Sequence, residues 1–241
     1  MRTSTIIVAV LLVAGGATPG VVMADFFENF EDGNYTSNPT WAVTNHVGSA
    51  LIAADPLRSN NMVLKSKGTA TAEEVLEASL TESVPWEGFD FSVQFRSSTD
   101  WYHPYFLVYG SDYGLKFELL RSYAAQNIRF RISETGTSSH DSSINIPSPI
   151  ADWWGLHLWH DVDTGYVNAE IRLVADNSLL VAQSFMPTAQ MAVAHDISGV
   201  EIEIGEPDWQ YVDNLTITPE PATLSLLVLG GLAILKRRKG A

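Results

Sequence analysis

The chain contains no cysteine, which excludes disulfides, thiol chemistry and cysteine-based zinc sites. Basic residues are scarce too. Of fourteen Lys and Arg, five sit at the extreme ends (Arg2, Lys236, Arg237, Arg238 and Lys239), leaving nine between them against all 28 Asp and Glu. Phosphate contacts need Lys and Arg, so this imbalance argues against a nucleic-acid partner. It favours solubility and divalent-cation binding instead. Sustained helical periodicity, heptads, a Gly-rich phosphate loop and a Ser-His-Asp arrangement are all missing. Long apolar runs occur only at the two termini.

What is present begins with those termini. Arg2 is followed by an apolar core from Ile6 to Ala14, then by Gly15, Gly16, Pro19 and Gly20, and then by Val22-Met23-Ala24. This is the layout of a secretory signal peptide over residues 1–24, cut between Ala24 and Asp25. Its apolar core is too short to span a bilayer. The other end reads Pro219-Glu220-Pro221, a fourteen-residue apolar run from Ala222 to Leu235, and the cluster Lys236-Arg237-Arg238-Lys239. Such a run reaches about 21 Å as a helix, short of a hydrocarbon core of about 30 Å. Gly230 and Gly231 weaken it further. The four positive charges act as a stop-transfer signal held on the cytoplasmic side.

The tripartite C-terminal segment, residues 219–241, resembles the PEP-CTERM sorting signal. The resemblance implies that an exosortase, a membrane protease, recognises Pro219-Glu220-Pro221 after transient anchoring in the inner membrane. It further implies release to the cell surface or extracellular matrix. The two prolines hold the tripeptide extended, a form a protease can grip, and Glu220 offers a side-chain handle.

Between the ends, residues 25–218 make one domain's worth of chain. Period-two alternation dominates it. Phe89, Phe91, Val93 and Phe95 share one face of "FDFSVQFRS", Ile128, Phe130 and Ile132 one face of "NIRFRISE", and Val200, Ile202 and Ile204 one face of "VEIEIGE". Further strands are expected in "YFLVYG", "GLKFELL", "GYVNAEIRLVAD", "SLLVAQSF" and "VDNLTIT", with Gly, Asn, Asp and Ser clustered between them. "TAEEVLEASL" is read as a strand because its surroundings are strands. Short alternating strands with regular turns predict an all-β, antiparallel two-sheet jelly-roll sandwich. Runner-up folds are an immunoglobulin-like sandwich and a galactose-binding-type jelly roll. The opening "FFENFEDG" and closing "WQYVDNLTIT" resemble the concanavalin A-like lectin/glucanase superfamily, in which first and last strands pair.

Three groups of residues are candidates for chemistry. Glu201, Glu203 and Glu206 resemble the Glu-x-Asp-x-x-Glu strand of family 16 glucanases, which implies Glu201 and Glu206 as a catalytic pair of a glycoside hydrolase. Paired carboxylates on one strand face suit that chemistry. The same residues alternate with apolar ones as any half-solvated strand would. The middle residue is Glu203 rather than Asp, and the motif lies near the C-terminus rather than mid-chain. The second group is Asp213 with Glu31 and Asp32. The same resemblance implies a structural Ca²⁺ between the terminal strands, and hard oxygen donors suit it. Asp32-Gly33 making a plain turn is the simpler alternative.

The third group is aromatic. Trp101, Tyr102 and Tyr105 follow a polar turn and are glycan-binding candidates, since sugar C–H faces stack on such rings. The cluster from Trp153 to His160 reads more simply as one strand with Trp154, Leu156 and Leu158 in the core. His157 and His160 fall on opposite faces of that strand. The expected function is therefore that of an exported, exosortase-processed surface or matrix protein with a non-catalytic jelly roll that binds carbohydrate. A secreted hydrolase and a purely structural matrix component are the alternatives. Signal peptidase, exosortase and an extracellular polysaccharide are the expected partners.

Overall fold

The structure is a computed structural model and describes residues 26–35, 39–45, 50–69, 74–98, 104–121, 128–135, 139–144, 152–205 and 208–219. Within these lie fifteen strands: β1 (Phe26–Glu28), β2 (Trp41–Asn45), β3 (Leu51–Ala54), β4 (Met62–Ser66), β5 (Glu74–Val84), β6 (Phe89–Ser97), β7 (Tyr105–Tyr109), β8 (Gly114–Arg121), β9 (Ile128–Glu134), β10 (Ser139–Ile144), β11 (Trp154–Asp161), β12 (Tyr166–Leu173), β13 (Leu179–Phe185), β14 (Ile197–Ile204) and β15 (Gln210–Pro219). One 3₁₀ turn, Met191–Val193, precedes β14. The stretch "TAEEVLEASL" enters β5, a strand as its surroundings suggested.

Two antiparallel sheets pack face to face. The first runs β13-β12-β11-β6-β15-β4-β3, with β1 also paired to β15. The second runs β10-β9-β8-β7-β14-β5-β2. This is the jelly-roll sandwich that the alternation predicts. Phe89, Phe91, Val93 and Phe95 of β6 are buried against the second sheet, as are Trp154, Leu156 and Leu158 of β11. Phe91 stacks on Phe117 with centroids 6.1 Å apart, and Phe95 meets Phe106 at 5.6 Å. Each such fully buried side chain contributes about 1.5–3 kcal/mol. A core of this size stabilises the cysteine-free domain.

The terminal strands close the first sheet. Phe26 pairs with Ile217 and Glu28 with Leu215. Just beyond β1, Phe30 is fully buried in a left-handed backbone conformation (φ +57°), rare for a bulky residue. Glu28 sustains it: its carboxylate accepts the Phe30 N–H at 2.7 Å and the Trp41 indole N–H at 3.2 Å. Burial pushes the Glu28 carboxyl above its ordinary range, against the pull of those donors. Gly33, at φ +74°, then turns the chain by donating to the Phe30 carbonyl at 3.1 Å. The "FENFEDG" motif is thus a structural latch.

Candidate functional site

β15 carries a bulge between Asp213 and Thr216 where it pairs with β6. Asn214 takes φ +48° there, a conformation Asn tolerates because its short amide bonds locally. The bulge aims Asp213 at the outer face of the first sheet, opposite Gln94. Onto this spot folds the β3–β4 connection, pinned by Asp55 N–H to the Asn61 carbonyl at 2.9 Å. Its Arg58 guanidinium bridges acceptors from its own loop and from two strands, β6 and β15. It donates to the Asp55 carboxylate, to Gln94 Oε1 at 2.8 Å and to Asp213 Oδ2 at 2.6 Å. Its plane lies 4.1 Å from the Trp153 ring centroid, and the Trp153 indole N–H donates to Asp55 at 3.2 Å.

Two amides complete the cluster. Asn61 donates to Asp213 at 3.0 Å, and Asn214 donates to Asp213 at 3.1 Å and to Gln94 at 3.2 Å. Asp213 is fully buried, and burial raises its carboxyl despite Asn61 and Arg58. Burial works the same way on Asp55, yet hydrogen bonds from Arg58 and the backbone win and hold it below the usual range. The guanidinium and amides compensate both carboxylates, as buried charges require.

Next to this cluster the outer face opens into a trough of about 790 Å³ above Gly155 of β11. Ser92, Asn214 and Thr216 line one side; His157, Glu170 and Arg172 line the other. Arg172 forks onto Glu170 at 2.8 and 2.9 Å and also donates to the Asn177 carbonyl at 3.0 Å. His157 Nε2 lies 2.9 Å from Asp90, and its ring stacks on the half-buried Trp159 at 4.5 Å. The lining sets hydroxyl, amide and charged groups and the His157 ring among Val93, Leu156, Leu173 and Val174, able to hydrogen-bond a polyhydroxylated ligand and to pack against its apolar face.

The second sheet's outer face carries the glutamates of β14. Glu201 and Glu203 do share this face. Glu201 stands directly opposite Glu77 of β5, and Glu203 pairs with Lys116 at 2.5 Å. Tyr105 lies beside them, its ring 5.1 Å from Lys116 Nζ. Gly199 leaves room for the Tyr109 ring, which would stand 2.5 Å from any Cβ there. Burial, then Glu203 and Glu77, push the Glu201 carboxyl up.

Of the residues singled out from sequence, Glu206, Trp101, Tyr102, residues 1–24 with Asp25, and residues 220–241 lie outside the described residues. Asp213, Glu31 and Asp32 are not gathered into one donor set. Glu31 accepts the Met62 N–H at 2.9 Å and Asp32 the Asn34 N–H at 2.9 Å, while Asp213 is engaged by Arg58. A cation already sits on Asp213 as a guanidinium, so the residues present do not fit a calcium ion there. No group of three or more His, Asp or Glu poised for a metal occurs among the described residues. Sequence reasoning missed Arg58, Asp55, Gln94, Glu170 and Arg172. Only "ADPLRSNN", a polar turn between two apolar strands, hinted at Asp55 and Arg58, and nothing local marked Gln94, Glu170 or Arg172.

No protein-family model matches the chain, and no curated protein is matched. The fold does have solved counterparts. Lectin II from Ulex europaeus superposes with a TM-score of 0.52 at 10% identity, over 80% of this chain and 97% of its own. The globular domain of T. cruzi calreticulin superposes with a TM-score of 0.58 at 13% identity, over 89% and 95%. The winged bean acidic lectin, solved with methyl-alpha-D-galactose, gives 0.53 at 11% identity, over 81% and 98%. The chain has the concanavalin A-like jelly-roll fold. At these identities the likeness concerns architecture alone.

Proposed function

We propose that this is an exported surface or matrix protein whose jelly-roll body binds carbohydrate without catalysis, in the trough on the outer face of the first sheet. The observation that carries the reading is the trough itself: an open groove floored by Gly155, with polar groups from His157, Glu170, Arg172 and Asn214 set among the apolar Leu173 and Val174. The similar lectin folds lend it support. The non-catalytic reading draws on Glu201 and Glu203, which are tied up with Glu77 and Lys116 in a sheet-surface ladder. Export by the signal peptide over residues 1–24, and anchoring and cleavage at Pro219-Glu220-Pro221 by an exosortase, follow from the terminal sequences.

A glycan array with the wild type and with Arg172→Ala tests the binding. Sugar retained by the wild type and weakened by roughly tenfold or more in the variant is the expected result, as for loss of a charged hydrogen-bond donor. No glycan bound at all would leave the structural matrix component. Hydrolysis of a β-glucan abolished by Glu201→Gln with Glu206→Gln would establish the hydrolase. Mass spectrometry of the extracellular product tests the sorting: a product retaining Lys236–Lys239 would refute cleavage.

A further inference from the structure

The strand registers place several distant segments at one end of the sandwich. Pro219, the last residue of β15, pairs with Phe89 at the start of β6. Asp90 pairs with Trp159, so β11 finishes at this same end, and its last residue Asp161 pairs with Tyr166 at the start of β12. Val167 pairs with Phe185, which brings the end of β13 alongside. Here the chain also opens a cleft of about 550 Å³ lined by Pro85, Trp86, Val162, Met186, Met191 and Ala192 among others.

Large apolar side chains are left in the open at this end. Val193 is 80% exposed, Met186 55%, Val162 47% and Tyr166 40%. They stand on a braced platform. The Thr188 N–H and hydroxyl donate to buried Glu134 at 2.9 and 3.0 Å, Gln190 donates to the Asp112 carbonyl at 2.8 Å, and the Trp86 indole donates to the His195 carbonyl at 2.7 Å. Val162 and Met186 line the cleft itself and Val193 stands between its lining residues Ala192 and Ala194, so these exposed side chains adjoin one apolar cleft, and such a patch marks a contact site.

The sequence indicates what covers it. Pro219 is still sheet-paired, and only Glu220 and Pro221 separate it from the apolar run that begins at Ala222. Three residue steps span about 10 Å at most. If the run enters a bilayer, the body has no linker to stand off from it.

We propose that this end of the sandwich is a membrane-contact face. Val193, Met186 and Val162 seat in the lipid interface while the C-terminal segment is inserted, which fixes Pro219-Glu220-Pro221 at the membrane surface where a membrane protease works. The inference rests on the sorting reading of residues 219–241. Glu87 and Asp196 flank the cleft, so the contact is apolar rather than electrostatic and needs no anionic lipid.

The absence of cysteine makes the test direct. The full chain carrying Met186→Cys, Val193→Cys or, at the opposite end of β13, Leu179→Cys is labelled with nitrobenzoxadiazole and reconstituted into phosphatidylcholine vesicles containing brominated acyl chains. Flotation of all three reports tail insertion. On floated protein the labels at 186 and 193 shift to the blue and lose roughly half their emission, whereas the label at 179 stays unquenched. Flotation with all three labels unquenched overturns the contact face and leaves the sorting reading standing. Failure to float overturns both.

Discussion

The outer faces of the two sheets both carry carboxylates, and they deal with them in opposite ways. On the first sheet Asp213 and Asp55 are drawn under the β3–β4 loop, around one guanidinium that is itself stacked on Trp153. On the second, Glu77, Glu201, Glu203 and Glu118 stand along a regular ladder, with Lys116 shared between Glu203 and Glu118. A bulge explains the difference. β15 breaks register at Asp213–Thr216 and points its acid at a covering loop, while β14 stays in register from Gly199 to Ile204 and sets its acids at even spacing, half-buried among one another and Lys116. Charge on an irregular strand becomes a fixed site, and charge on a regular one becomes surface.

Arg58→Ala should break the comparison most. It leaves Asp213 buried without its cation, and the Arg58 side chain is 30% exposed, so the cost falls below that of a fully buried pair. A loss of about 2–3 kcal/mol is expected, seen as a fall in Tm of roughly 5–10 °C. A change under 1–2 °C (roughly what a surface ion pair is worth) would place the cluster in the same class as the opposite face.

Gly199→Ala comes next. The new Cβ would meet the Tyr109 ring, which is half-buried and can swing towards solvent, so about 1 kcal/mol is expected by denaturant titration. A loss several times larger would mean that the second face is as tightly built as the first.

The smallest effect is a gain. The Glu201 carboxyl is raised above its ordinary 4.5, so the native state holds that proton more tightly than the unfolded chain does. Stability therefore declines as pH climbs through 4.5 towards the raised value, and the penalty persists above it. Glu201→Gln removes a like charge opposite Glu77 and should add about 0.5 kcal/mol at neutral pH. Melting curves taken below pH 4.5 should show that gain disappear. A variant that is less stable at neutral pH would mean Glu201 makes a favourable contact there.

The strand pattern was legible because alternation reports burial directly. β6 runs from Phe89 to Ser97 as the sequence alternates, and Trp154, Leu156 and Leu158 face the core as that stretch suggests. Phe26, Phe30 and Gly33 stood out as a motif, although their use as a latch around a left-handed Phe30 depends on Glu28 and Trp41 meeting across thirteen residues. The trough was not legible. Ser92, Gly155, Glu170 and Thr216 come from four strands, and each looks like an ordinary outward residue of its own. Arg58 was hidden for the same reason, since its partners Gln94 and Asp213 lie 36 and 155 positions away.

Local chemistry is what the amino-acid order could determine alone: period-two burial, turn residues between strands, an acidic cysteine-free body, and the apolar and basic runs at the termini. These follow from neighbours one or two positions apart. Which carboxylates receive a cation, which face opens into a groove, and which end gathers Val193, Met186 and Val162 beside Pro219 were decided only by sheet order and register. Those features join side chains that the chain keeps far apart, and only the packed sandwich brings them within reach of one another.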